Sequence, residues 1–116
     1  MKTKLSSSKY DKYIVVKEEG VNRWPHLNND LEFRYLFKFE NGFGASVVKR
    51  YGTYGYDDDL FEVAMITFNN YGITTLFIDG YDLIYPEDTS FEYDVCGYCT
   101  EEQVFELLEE IKNYKP

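Results

Sequence analysis

Leu31 to Tyr51, LEFRYLFKFENGFGASVVKRY, is the stretch whose reading decides the fold. Leu31, Phe33, Tyr35, Phe37 and Phe39 fall on alternate positions, with Glu32, Arg34, Lys38 and Glu40 among the residues between them. A period of two sets the aromatics on one face of a strand and the charges on the other. Asn41-Gly42 then supplies two residues that tolerate positive φ, as a tight hairpin turn requires. A second strand follows through Phe43, Ala45, Val47 and Val48. Two registers are open. A two-residue turn opposes Phe39 to Gly44 and Phe37 to Ser46, whereas a bulged three-residue loop opposes Phe39 to Ala45 and Phe37 to Val47. The second matches apolar with apolar and is favoured.

Outward from the hairpin, Gly52 to Asp59 (GTYGYDDD) reads as a long surface loop of glycines, tyrosines and three consecutive carboxylates. Leu60 to Phe68 (LFEVAMITF) is apolar on both parities, the pattern of a strand covered on both faces. Asn69-Asn70-Tyr71-Gly72 predicts a turn and Ile73 to Ile78 a returning strand. Asp79 to Cys99 reads mostly as loop, with a short strand at Leu83-Ile84-Tyr85. On the other side, Tyr13 to Val16 predicts a first strand. Glu18 to Asp30 reads as a loop from which Trp24 closes one end of the core. Residues 1–9, with three serines in a row, are expected to form a flexible tail ahead of a single domain at 10–116.

Thr100 to Tyr114 (TEEQVFELLEEIKNY) predicts the helix. Thr100 and Gln103 make a capping box, and Val104, Leu107, Leu108 and Ile111 form an apolar stripe. The expected fold is therefore α+β: an antiparallel sheet of about four or five strands with one C-terminal helix packed on a face.

The totals bound the function more loosely. A chain of 116 residues, 19% aromatic, with 12 Tyr and 9 Phe, supports one core and excludes disorder. Several tyrosines must lie on the surface, because each buried hydroxyl needs a partner. No apolar run is long enough to span a membrane, and MKTKLSSSKYDK lacks the apolar segment of a secretory signal, so a cytosolic setting is expected. The net charge of −9 is uneven: residues 1–56 are net basic, while residues 57–116 hold 15 acids against Lys112 and Lys115. Nucleic acid is thereby disfavoured as a direct ligand, and a basic groove on another protein becomes a suitable partner.

Catalytic constellations are weak. Cys96-Gly97-Tyr98-Cys99 is a CxxC before a helix, a place that can lower a thiol pKa, but the βαβ setting of a thioredoxin-like site is missing. Zinc would need further ligands, and the one histidine, His26, lies in a polar loop. Asp57-Asp58-Asp59 lacks the spacing of a calcium loop. No enzyme activity, metal or cofactor is expected. The exposed acids expected on the helix are Glu102, Glu106, Glu109 and Glu110.

The run Phe39, Asn41 to Gly44, Ala45 to Val48, with Tyr54-Gly55, Glu62-Val63-Ala64, and Gly97-Tyr98 followed by Thr100, Glu102 and Val104, resembles a family of small uncharacterised bacteriophage and prophage proteins. Its pattern is an aromatic-x-Asn-Gly-aromatic-Gly hairpin and a Gly-Tyr-x-Thr helix start. The family carries an apolar residue where Cys99 stands, which weakens a thiol role. The resemblance implies a phage origin and assigns no activity. Small acidic phage proteins commonly bind host proteins, restriction and CRISPR nucleases among them. The expected function is thus an acidic, DNA-mimicking inhibitor or modulator of a host nucleic-acid-handling protein, acting in the host cytoplasm. The residues expected to carry it are Tyr54, Tyr56, Asp57, Asp58 and Asp59. The alternative is a phage structural or assembly protein that self-associates through a sheet edge.

Overall fold

The alternation of Phe33, Tyr35 and Phe37 does produce a strand, and its partner follows directly through a tight turn. The computed structural model describes residues 2–27, 31–68 and 81–116. In chain order the elements are β1 (Ile14–Val21), β2 (Glu32–Lys38), β3 (Phe43–Lys49), β4 (Phe61–Thr67), β5 (Asp82–Leu83), β6 (Cys96–Cys99) and α1 (Glu101–Lys112). The strands run in the order β1-β2-β3-β4-β5, with β6 also on β4, and every pairing is antiparallel. The fold is α+β, with α1 lying on the sheet over β3 and β4. Six strands occur among the described residues, and no helix there is long and apolar enough to cross a membrane.

The hairpin register is neither of the two expected. Phe37 opposes Ala45 and Tyr35 opposes Val47, two residues away from the favoured pairing but with the same residues facing the core. The loop is the three-residue Glu40-Asn41-Gly42. Phe39 N–H bonds the Phe43 carbonyl, and Gly42, at φ +87, takes the left-handed conformation that closes the turn. Asn41 does more than turn the chain. Its side-chain amide donates to the carbonyls of Ile111 (2.9 Å) and Tyr114 (3.0 Å), so the hairpin tip satisfies the orphan acceptors at the end of α1.

The aromatic face of β2 meets Val47, Met65, Phe91, Val104, Leu108 and Ile111 in the main core. The helix behaves as its sequence predicts: Thr100 Oγ1 accepts from Gln103 N–H and the Gln103 side chain accepts from Thr100 N–H. Of the apolar stripe, Val104, Leu108 and Ile111 are buried and Leu107 is half-buried.

Four expectations need correction. First, β1 continues through Glu18, Glu19 and Gly20 to Val21, which read as loop; Gly20 sits at φ +69, where a bulge absorbs the break, and Glu18 faces Arg34 across the pair. Second, the opposite face of β2 is not simply charged, since Leu36 is fully buried with Ile66 and Tyr81 in a second cluster and Glu32 is buried too. Third, Cys96 to Cys99 is a strand, hidden in the sequence by its glycine and shortness. Fourth, Trp24 is half-open to solvent instead of capping the core. The short strand expected at 83–85 appears as the two-residue β5, which starts one residue earlier and shares only Leu83 with it. The turn at 69–72 and the strand at 73–78 lie outside the described residues.

Residues 1–9, expected as a tail, are packed against the domain from Thr3 onward. Leu5 is buried with its N–H on the Tyr35 hydroxyl (3.0 Å), Ser6 N–H bonds the Glu101 carboxylate, and the buried Tyr10 donates to Glu109. Burial, and then the Glu109 carboxylate, push the Tyr10 hydroxyl up to about 12.

Because Leu108 is fully buried between α1 and the sheet, Leu108→Ala is expected to cost about 2–5 kcal/mol of unfolding free energy. Urea denaturation followed by far-ultraviolet circular dichroism measures this.

Candidate interaction surface

The loop that follows β3 is held by a charge inside the fold. Lys49 ends β3 with 1% of its surface exposed. Its Nζ donates to Asp59 Oδ1 (2.7 Å) and to the Thr3 carbonyl (2.6 Å), and it lies 4.0 Å from the centre of the Phe61 ring. Asp59 closes the arrangement by accepting from Thr3 N–H and Thr3 Oγ1, both at 2.7 Å. A buried ammonium is tolerable only when its donors are met, and here a carboxylate, a carbonyl and a ring meet them.

That clamp fixes both ends of the 50–59 loop. Between them Tyr54 N–H bonds Glu62 Oε2 (2.8 Å), and Leu60 N–H returns to the Gly55 carbonyl (2.9 Å). The loop also packs on β6. Tyr98 N–H donates to the Tyr54 carbonyl (3.3 Å), and the two backbones approach so closely that side chains are excluded. A Cβ on Gly97 would lie 2.5 Å from Tyr54 Cβ, and one on Gly55 would lie 2.9 Å from Tyr98 Cα.

The five residues expected to carry binding divide accordingly. Tyr54 is 58% exposed, and Asp57 and Asp58 are exposed, with no hydrogen bond or ion pair on either carboxylate among the described residues. Tyr56, in contrast, is buried, with its hydroxyl on the Leu31 carbonyl (3.3 Å) and Lys2 over its ring. Asp59 belongs to the Lys49 clamp. Alternation in a Gly-Tyr loop carries no sign of which tyrosine turns inward, so the sequence could not separate Tyr54 from Tyr56.

The structure adds Tyr98 to this surface. It is 57% exposed, beside Tyr54, and its φ of +55 is in the left-handed region that a bulky side chain rarely adopts. Holding tyrosine there costs about 1–2 kcal/mol relative to ordinary backbone, the kind of local strain that concentrates at functional positions. Tyr93, shortly before β6, is 90% exposed. Of the helix acids, Glu102 and Glu106 are exposed as expected. Glu109 is half-buried on Tyr10 and Asn113, and Glu110 accepts from Ser90 N–H while its Oε1 is buried without a hydrogen bond.

The CxxC thiols are held toward their protonated form. Both cysteines are free; burial pushes Cys99 up to about 11, with Cys96 adding to the effect, and Cys96 is raised by burial and by Glu110. The direction is opposite to that of an activated thiolate before a helix. His26 sits edge-on to Trp24 in a short turn at Pro25–Leu27.

Burial alone would raise the Asp59 carboxyl, but the hydrogen bonds from Lys49 and Thr3 outweigh it and bring it down from 3.8 to about 2. A folded-state pKa below the unfolded one contributes stability that is complete above the unfolded value and is lost as pH falls through the folded value. The stability gap between the native chain and Asp59→Asn is therefore expected to narrow as pH falls from about 4 to about 2. Urea midpoints measured across that range check it; a constant gap contradicts the assignment.

Compared with protein-family models, with curated proteins and with solved structures, the chain matches none.

Proposed function

We propose that this chain is a small acidic protein of phage type that binds a host nucleic-acid-handling protein, such as a defence nuclease, and inhibits or modulates it in the host cytoplasm. Binding runs through Tyr54 and Tyr98 flanked by Asp57 and Asp58. The observation that carries this reading is the exposed Tyr54–Tyr98 pair, tied backbone to backbone with Tyr98 at φ +55. Exposed tyrosines on a rigid frame bring contact area at little entropic cost, and the free carboxylates beside them suit a basic surface on the partner. The acidic balance of residues 57–116 steers the same class of partner.

Self-association through a sheet edge is less well supported. The edge strand β1 is broken by two register shifts and carries Lys17, Glu18 and Glu19, which are the features that blunt an edge against pairing.

Tyr98→Gly separates binding from folding. Relief of the left-handed backbone is expected to keep or raise stability, by up to about 1 kcal/mol, while partner capture falls. Affinity capture from bacterial lysate, with DNA as competitor, provides the readout. The reading expects a nucleic-acid-binding protein that DNA displaces and that Tyr98→Gly or Asp57→Lys with Asp58→Lys fails to retain. Capture indifferent to all three would overturn it.

A further inference from the structure

The sheet face away from α1 holds a groove of about 420 Å³, within the range of small-molecule sites. Its floor is made of short side chains on the central strands, Ser46, Val48 and Ala64. Two exposed rings stand at its rim, Trp24 at 40% and Tyr51 at 55% exposure.

Its lining holds two arginines, Arg23 and Arg50, and two glutamates, Glu32 and Glu62, but they are not paired evenly. Arg23 Nε lies 3.2 Å from Glu32 Oε1, though not aligned for a hydrogen bond, and Glu32 Oε2 accepts from Tyr51 N–H (2.8 Å). Next to this pair, Arg34 is matched to Glu18 at 3.4 Å. Arg50 lines the groove half-buried, and among the described residues its guanidinium has no ion pair and no hydrogen bond. Glu62, also in the lining, accepts from Tyr54 N–H with one oxygen. Burial most, then the neighbouring Arg23, press on the charged form of Arg50, and Glu32 and Glu18 offset this only in part, so its pKa stays lowered. A half-buried guanidinium beside a like charge is relieved by an anion, which it can grip with two parallel N–H donors.

We infer that this groove binds a small anion attached to a flat ring, with the anion on Arg50 and the ring against Trp24 or Tyr51. Stacking on these rings supplies the second contact. The same chemistry is offered by a nucleoside monophosphate and by a carboxylate that carries an aromatic ring. The groove shares the 50–59 loop and Glu62 with the Tyr54–Tyr98 surface, but Tyr54, Asp57, Asp58 and Tyr98 are not in its lining, so Arg50→Gln tests it without touching the residues of the proposed partner contact.

Trp24 is the one tryptophan of the chain, so its fluorescence reports on this groove directly. Four probes distinguish the possibilities: adenosine monophosphate, hippurate, adenosine without phosphate, and inorganic phosphate without a ring. The expected result is a saturable change in Trp24 emission with adenosine monophosphate, hippurate or both, and binding at least about tenfold weaker for adenosine and phosphate. Which of the first two binds identifies the source of the ligand. Arg50→Gln is expected to weaken binding by about tenfold or more while leaving the thermal midpoint unchanged. Three outcomes overturn the inference: no saturable response to either ring-bearing anion, phosphate or adenosine binding as tightly as these, or full affinity in Arg50→Gln.

Discussion

One ion pair governs how the surface of this protein is presented. Lys49 is drawn into the core by the burial of β3, and once there its charge must be met. Asp59 and the Thr3 carbonyl meet it, and in doing so they bring together the end of a central strand, the return of the 50–59 loop and the N-terminal segment. A well-packed apolar residue could fill the same space at similar stability, so the pair is better understood through what it positions than through what it contributes in energy.

The sheet serves different ends on its two faces. One is sealed by α1, whose capping box, apolar stripe and Asn41-bonded C-terminus leave little backbone unsatisfied. Among the described residues the other carries a small apolar cluster at Leu36, Ile66 and Tyr81, with Val16 and Phe68 against it, and beside it a groove whose floor is kept low by Ser46 and Ala64. At one end, the clamped loop and β6 set Tyr54 and Tyr98 side by side. The main apolar core lies where α1 meets the sheet, and the groove lies on the opposite face.

Much of this was legible in the residues. The period of two in Phe33, Tyr35 and Phe37, the Asn41-Gly42 turn and the Thr100–Gln103 cap report local constraints, and local constraints act through neighbours in sequence. The hairpin register was not, because sliding by two residues keeps the same faces inward and so leaves no mark on the hydrophobic pattern. Nor were the roles of Lys49, Asp59 and Tyr56. Each depends on a contact with a distant part of the chain: Thr3 for the first two, Leu31 for the third. Asp57-Asp58-Asp59 reads as three equivalent acids, and only the fold singles out the last. Tyr98 stands in the Gly-Tyr-x-Thr motif, but its left-handed backbone goes with the close approach of Gly97 to Tyr54 across the fold. No count of residue types reveals that.

The Lys49–Asp59 clamp is what holds the 50–59 loop against β6. Native-state amide hydrogen exchange in Lys49→Met tests it most directly, since methionine refills the site without a charge to satisfy. If the clamp positions the loop, protection at Leu60 and Tyr98, whose N–H groups bond the Gly55 and Tyr54 carbonyls, falls by about tenfold or more while β2 and β3 keep theirs. Unchanged protection at Leu60 and Tyr98 would contradict the claim.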